Sequence, residues 1–206
     1  MIPSDLLVSA YASGWFPMAV DEGDIRWYSP DPRGIIPLER FHVPSRLARV
    51  VRAGRFRVEI DTAFETVMRA CAGASRKGDD GGTWIDDEIL ETYCALHAAG
   101  LAHSVEVWQG DDLAGGLYGV ALGGAFFGES MFHRVTDASK VALVGLVAML
   151  SDEHAPRRLV DVQWATPHLA SLGVVEVSRG DYTRLLAGAL DVPLPRAFDP
   201  ACERSQ

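Results

Sequence analysis

Three alternating stretches between residues 103 and 128 constrain this chain more than any other feature. His103 to Gln109 (HSVEVWQ) sets Val105 and Val107 on one side and Ser104, Glu106 and Trp108 on the other. Leu113 to Ala121 and Gly124 to Gly128 follow, separated by Gly110-Asp111-Asp112 and Leu122-Gly123. Period-two alternation marks strands, and Gly/Asp turns this short join antiparallel neighbours. The chain is committed to a meander whose apolar face needs helices to cover it. Helical patterns flank it on both sides. Asp61 is placed to cap a helix with Phe64, Val67 and Met68 at helical spacing, and Asp86 to cap another that Gly100 ends. Further helices are expected at 138–151, 166–172 and 180–190, and strands at 56–60, 158–163 and 174–178. The order predicts an α+β fold built on one central, mostly antiparallel sheet. The first 45 residues are instead turn-rich and aromatic, with Gly14-Trp15-Phe16-Pro17-Met18 and Trp27-Tyr28-Ser29-Pro30. We expect a small N-terminal lobe over 1–55 and a main domain over 56–206, in keeping with 206 residues and roughly 100–200 per domain.

Charge is unevenly spread. The whole chain carries −9, which taken alone argues against a nucleic-acid partner. Yet residues 33–57 hold seven arginines and one acid, Glu39, so this stretch carries +6 and the remainder −15. Ser45 can begin a short helix ending at Gly54, with Leu47, Val50 and Val51 inward and Arg46, Arg49 and Arg52 outward. Such a face is either simply solvated or a phosphate-contacting patch, because the guanidinium fork matches phosphate oxygens. No run of about 18 apolar residues exists and no basic-then-apolar leader opens the chain, so neither a membrane span nor a signal peptide is expected and the cytoplasm is the default. Cys71, Cys94 and Cys202 form no CxxC pair, which argues for reduced thiols rather than disulfides or zinc.

The residues narrow the chemistry by elimination. There is no P-loop, and the glycines 115, 116, 119, 123 and 124 lie in the meander, where they let another backbone or a ligand approach closely. Gly128-Glu129-Ser130-Met131-Phe132 approaches a nucleophile elbow, with Asp161 and His168 following. It lacks the final glycine, and neither a parallel strand nor an immediate helix accompanies it. The six histidines show no ligand spacing, and no metal is expected. A polar set remains at strand ends: Glu106, Glu129, Asp161 and Gln163. Asp161 and Gln163 are two apart, so on a regular strand they share a face. They read either as a catalytic pair or as a buried hydrogen-bonded pair.

The wording of the motifs goes further. Y-A-S-G-W-F-P (11–17), W-Y-S-P-D-P-R (27–33), G-T-W-I (82–85), H-S-V-E-V-W (103–108), G-G-L-Y-G-V (115–120), F-F-G-E-S-M-F (126–132), A-S-K-V-A-L (138–143) and D-V-Q with H-L-A-S-L-G (161–173) run through nearly the whole chain. Together they closely resemble the leucyl/phenylalanyl-tRNA–protein transferases.

That resemblance implies a bacterial, cytoplasmic enzyme. It would move Leu or Phe from aminoacyl-tRNA to proteins with an N-terminal Arg or Lys, marking them for N-end rule degradation without metal or organic cofactor. It implies a body like the GCN5-related acetyltransferases beneath a reduced N-terminal lobe. The Gly-rich turn that such folds use for coenzyme A is replaced by Thr136-Asp137-Ala138-Ser139-Lys140, which disfavours acyl-CoA as donor. By matching motif, Asp161 and Gln163 help remove a proton from the attacking amine, and Glu129 stands beside the amino-acid pocket. Trp84, Leu117, Phe126, Met131 and Leu146 form the pocket for the aminoacyl side chain and terminal adenosine. Glu106 and Glu129 are candidates to attract the acceptor's cation, and Arg46, Arg49 and Arg52 to meet the tRNA. Many members read F-P-W where this chain has Phe16-Pro17-Met18, so the adenine loses that stacking partner here.

Overall fold

The computed structural model describes residues 2–20, 24–74 and 85–199, the side chain of His168 excepted. Helix α1 (Ser4–Ala12) leads into a two-stranded antiparallel ribbon, β1 (Phe16–Ala19) and β2 (Ile25–Tyr28). The chain then enters the main sheet with β3 (Arg33–Ile36) and leaves it for α2 (Ser45–Arg52). β4 (Arg57–Ile60), α3 (Phe64–Ala72) and α4 (Asp87–Ala98) precede the meander β5 (Ala102–Gln109), β6 (Asp112–Leu122) and β7 (Ala125–His133). α5 (Ala138–Leu150), β8 (Leu159–Gln163), α6 (Pro167–Ala170), β9 (Val175–Val177) and α7 (Arg179–Leu190) follow. The seven-stranded sheet runs β4-β5-β6-β7-β8-β3-β9 and is antiparallel except where β7 meets β8. The expected α+β architecture with a mostly antiparallel sheet is what the chain forms.

Each face of the sheet has its own core. On one, Val67 and Met68 of α3, Ile89, Tyr93 and Leu96 of α4, Tyr11 of α1 and Leu186 of α7 pack on Tyr118 and Phe127. On the other, Val141 and Leu146 of α5 and Leu47 of α2 pack on Val105, Leu117, Phe126 and Val160. α4 starts where its sequence says it should: the Asp86 carboxylate accepts from the Ile89 N–H at 2.8 Å, and Asp87 and Glu88 complement the helix dipole. α5 is apolar nearly all round because it is packed between sheet and α2.

Several local expectations change. Asp61 does not cap α3. It takes a left-handed φ of 57° and turns its carboxylate to the Ser104 N–H and to His103. Ser45 is the first helical residue of α2 rather than its cap, and Val51 is exposed. α1 and the strands β1 to β3 arise in the stretch that reads as turns. Because β3 is hydrogen-bonded between β8 and β9, a division at 55/56 separates it from its partners. β7 runs on to His133, well past the expected end at Gly128.

Candidate active site

β7 and β8 make a short parallel pair, Ala125 to Leu159, Phe126 to Val160 and Phe127 to Asp161, and then separate. Beyond this point β7 stays with β6, whereas β8 ends at Gln163. A cavity of about 1050 Å³ opens beside the parting strands, walled by Leu117 and Met131 of the meander and Leu146 of α5.

The β7 wall depends on a bulge. β6 pairs Tyr118 with Ser130 but Gly119 with Gly128, leaving Glu129 as the extra residue without a partner. One inserted residue reverses the alternation, so Phe126 and Met131, an odd number apart, both line the cavity. Gly119 permits this: a Cβ there would sit 2.2 Å from the Phe127 carbonyl oxygen and 2.7 Å from the Phe126 ring. Glu129 is among the cavity-lining residues, and its Oε2 accepts from the Tyr93 hydroxyl at 3.3 Å, Tyr93 being in turn hydrogen-bonded to the Tyr11 hydroxyl in the core on the other face of the sheet. Its Oε1 is buried with no partner among the described residues. Burial pushes this carboxyl up to about 8; the tyrosine hydroxyls oppose that rise and the charge of Asp161 adds to it.

Asp161 has the opposite surroundings. It is fully buried, and its Oδ2 accepts from Arg33 Nη2 at 2.7 Å and from the Tyr182 hydroxyl at 2.7 Å. Its Oδ1 accepts from Arg33 Nε and from the Gln163 N–H, both at 2.9 Å. Four donors fill the carboxylate's capacity. Burial and the Asp161 charge drive the Tyr182 hydroxyl far above its ordinary value, so it remains a donor. Asp161 therefore stands behind the cavity wall, not on it. Gln163 departs from the shared-face expectation because the strand stops being regular. Its φ is 59°, and the Trp164 N–H bonds the Val162 carbonyl at 2.6 Å, closing a γ-turn. Gln163 nevertheless lines the cavity, with its Nε2 buried and unpartnered among the described residues.

Of the residues singled out from sequence, Glu129, Gln163, Leu117, Phe126, Met131 and Leu146 come together here. Trp84 lies outside the described residues. Glu106 is elsewhere: on the opposite face of β5 from Val105 and Val107, it accepts from Ser104, Thr62 and the Ala63 N–H, bridging to the start of α3. Arg33, which reads as part of the cationic stretch, is 1% exposed and committed to Asp161. Arg57 is bound to Glu59 and lies over Trp108. Arg46, Arg49 and Arg52 remain exposed on α2. Arg46 and Arg49, with Arg55, border a concavity of about 370 Å³ that also includes Thr136 and Asp137. α2 packs on α5, so this patch and the cavity lie on the same side of the sheet. Sequence reasoning missed Arg33 and Tyr182 as partners of Asp161, Tyr11 and Tyr93 as partners of Glu129, and Phe16 and Trp164 on the cavity wall. The only signal was that Tyr11, Phe16 and Arg33 fall inside recognisable motifs. Among the described residues no group of three or more His, Cys, Asp or Glu side chains could hold a metal ion, and no helix is long and apolar enough to cross a membrane.

Comparison with known proteins finds relatives along nearly the whole chain. The family model described as Leucyl/phenylalanyl-tRNA protein transferase matches residues 35–187, and that of its N-terminal domain matches residues 2–31. The two meet where β3 enters the sheet. A leucyl/phenylalanyl-tRNA–protein transferase of Paramagnetospirillum magneticum is 55% identical over 191 residues, covering 92% of this chain and 90% of the relative. The one from Caulobacter vibrioides is 55% identical over 191 residues, covering 92% and 86%. The one from Oleidesulfovibrio alaskensis is 53% identical over 193 residues, covering 91% and 77%. The chain belongs to the leucyl/phenylalanyl-tRNA–protein transferase family.

Proposed function

We propose that the chain moves Leu or Phe, and by the shape of its cavity Met, from aminoacyl-tRNA to the N-terminal Arg or Lys of proteins, marking them for N-end rule degradation in the cytoplasm. The observation that carries this reading is an apolar cavity lined also by Gln163, whose Nε2 is unpartnered among the described residues, and by Glu129, one of whose carboxylate oxygens is likewise unpartnered. Leu117, Phe126, Met131 and Leu146 suit an unbranched or γ-branched apolar side chain. A methylene changes such binding by only about 1–3 kcal/mol, so Leu, Phe and Met pass while β-branched Ile and Val are excluded by shape.

The chemistry asks little of the protein. The donor is an ester and the acceptor an α-amine of pKa about 8, partly neutral at physiological pH. The amine nitrogen attacks the ester carbonyl, the carbon–oxygen bond to the ribose breaks, and the proton lost from nitrogen balances the one gained by the ribose hydroxyl. No net proton is supplied by the enzyme. Positioning does most of the work, and Gln163 provides it: its free Nε2–H faces the carbonyl oxygen as negative charge develops there. Asp161, occupied by Arg33, Tyr182 and the Gln163 N–H, acts as a positioning residue that fixes the γ-turn beneath that carboxamide. The acceptor's guanidinium or ammonium meets Glu129, whose ionised form is costly until a cation arrives. Arg46, Arg49 and Arg52 contact phosphates of the tRNA.

The test is direct. Radiolabelled Leu-tRNA is incubated with the protein and a peptide beginning with Arg, beside one beginning with Ala. Label on the Arg peptide alone is expected; label on neither defeats the reading.

A further inference from the structure

We propose that Phe198, near the C-terminus, limits the size of amino acid the donor can carry, acting from behind the cavity wall as a positioning residue for Phe126. Phe126 lines the cavity; Phe198 is 2% exposed and does not line it. The two rings lie 5.7 Å apart and within 24° of parallel. Phe198 also meets the His103 ring at 4.3 Å and 16°, so it links the wall residue to β5.

The segment that carries Phe198 is built to bring it there. α7 packs in the core on the α3–α4 face through Leu186 and Ala189, whereas Leu194 and Phe198 belong to the core on the α5 face. Between them the chain passes from one face of the sheet to the other, past the β6–β7 turn. Two glycines in that turn let the backbones close: a Cβ on Gly123 would lie 2.5 Å from the Leu190 carbonyl oxygen, and one on Gly124 2.8 Å from the Val192 Cβ. Arg158 donates from Nη1 to the Pro193 carbonyl at 3.0 Å while its Nε holds Asp152 at 2.9 Å. The Phe198 N–H then donates to the Pro195 carbonyl at 2.9 Å, closing a short 3-10 turn over Arg196–Phe198. His103 is fixed as well, its Nδ1 lying 2.7 Å from the Asp61 carboxylate.

Phe126 therefore has little freedom. Its ring rests on bare backbone of β6, since a Cβ on Gly119 would come within 2.7 Å of it, and Phe198 stands beside it. Interiors are close-packed, so a donor side chain too large for the cavity can displace Phe126 only by displacing Phe198 too. Without the Phe198 ring a void remains that neighbours fill only in part, and Phe126 can turn into it. The pocket deepens although no lining residue has changed. The inference rests on Phe126 walling the pocket for the aminoacyl side chain. Phe is the largest donor side chain assigned to that pocket, so Trp is the next apolar size to be admitted.

The experiment uses the full chain, an Arg-initiated peptide and one tRNA body charged with Leu or with Trp. In Phe198→Ala the ratio of kcat/KM for the Trp donor to that for the Leu donor is expected to rise about tenfold, mainly through KM, the lower end of what a methylene-sized change in a pocket discriminates. In Phe198→Leu, which keeps part of the volume, it should rise about threefold. Both donors are read on the same protein, so a reduced folded fraction cancels from the ratio, and the Leu variant carries the reading if the Ala variant does not fold. Phe126→Ala serves as the reference and should raise the ratio at least as much. A ratio that moves in Phe126→Ala but not in the Phe198 variants overturns this inference alone, and Phe198 then serves packing only. A ratio that moves in none of them, with wild type active on Leu-tRNA, overturns the assignment of Phe126 to the pocket. Wild-type protein that transfers nothing from Leu-tRNA overturns the donor reading itself.

Discussion

Asp161 and Glu129 stand on neighbouring strands of one site, β8 and β7, and the fold treats them in opposite ways. Asp161 is given an arginine, a tyrosine hydroxyl and a backbone N–H, all within 2.9 Å. Glu129 has the Tyr93 hydroxyl at 3.3 Å, with Tyr11 behind it, and an oxygen that accepts from nothing among the described residues. The difference originates in the strands. β8 keeps its register with β3 as far as Asp161 and shifts only after it, at Val162, and it packs against β3 and α7, which deliver Arg33 and Tyr182. β7 is bulged at Glu129, so its side chain is aimed by the defect and not by the ladder. A saturated carboxylate has no capacity left for substrate and serves architecture. An unsaturated one retains its demand for a cation, and a substrate can meet it.

The sharpest way to break this comparison is to remove the partner of Asp161. Arg33→Met leaves a buried carboxylate with no counter-charge, and Asp161→Asn leaves a buried guanidinium in the same position. Each is expected to cost about 3–5 kcal/mol of stability, read as a fall in the denaturant midpoint, because breaking one side of a buried pair strands the other. If either variant keeps wild-type stability, Asp161 is not an architectural residue and its role as proton acceptor reopens.

Gln163 comes next, with its effect on rate rather than stability. Gln163→Ala keeps the left-handed backbone position equally strained, so the fold is expected to persist. Single-turnover transfer from Leu-tRNA is expected to fall about 10²–10³-fold, the usual loss for one oxyanion donor. Transfer at near wild-type rate would remove Gln163 from the mechanism.

How much of this could be read from the chain follows the same division between regular and irregular backbone. The meander, α4 with its Asp86 cap, and α5 were legible because their signals are local: alternation, a capping carboxylate and helical spacing. β1, β2 and β3 were not, because four-residue strands punctuated by proline look like turns until tertiary pairing selects them. The position of Asp161 was legible and its orientation was not. Reading it as a neighbour of Gln163 assumed a regular strand through residue 163, and the γ-turn there has no sequence signal in a Gln. Arg33 illustrates the converse error: seven arginines in one stretch read as one surface, although β3 carries the first of them into the core.

Glu129 supplies a third prediction, in which the comparison acquires a sign. Its folded-state value of about 8 lies above that of an unfolded glutamate, so the folded protein binds the proton more tightly. Its contribution to stability is therefore present below the unfolded value and is lost as pH rises from there toward 8. Glu129→Gln removes this dependence. Relative to wild type, the variant is expected to gain about 1–2 kcal/mol between pH 5 and pH 8. The same variant should lose discrimination between Arg- and Ala-initiated peptides. In the wild type, KM for the Arg peptide should fall as pH approaches 8. Parallel stability curves for the two proteins would show that Glu129 is not starved of partners.

The smallest effect concerns the surface, where the arginines divide as the carboxylates do. Arg33 and Arg57 are spent on Asp161 and Glu59, whereas Arg49 and Arg52 show no acidic partner among the described residues and Arg46 shares Asp137 with Lys140. Charge reversal at Arg46, Arg49 and Arg52 should weaken tRNA binding and flatten its dependence on salt, by about one unit of slope for each phosphate that is no longer neutralised. Single reversals rank the three. Arg49 borders the concavity beside Thr136 and should cost the most. Arg46 should cost less, because Asp137 at 3.0 Å already offsets part of its charge. Arg52, outside the concavity, should cost the least. A slope that stays the same in the triple variant would make this helix a solvated face, and would leave the cavity alone responsible for recognising the donor.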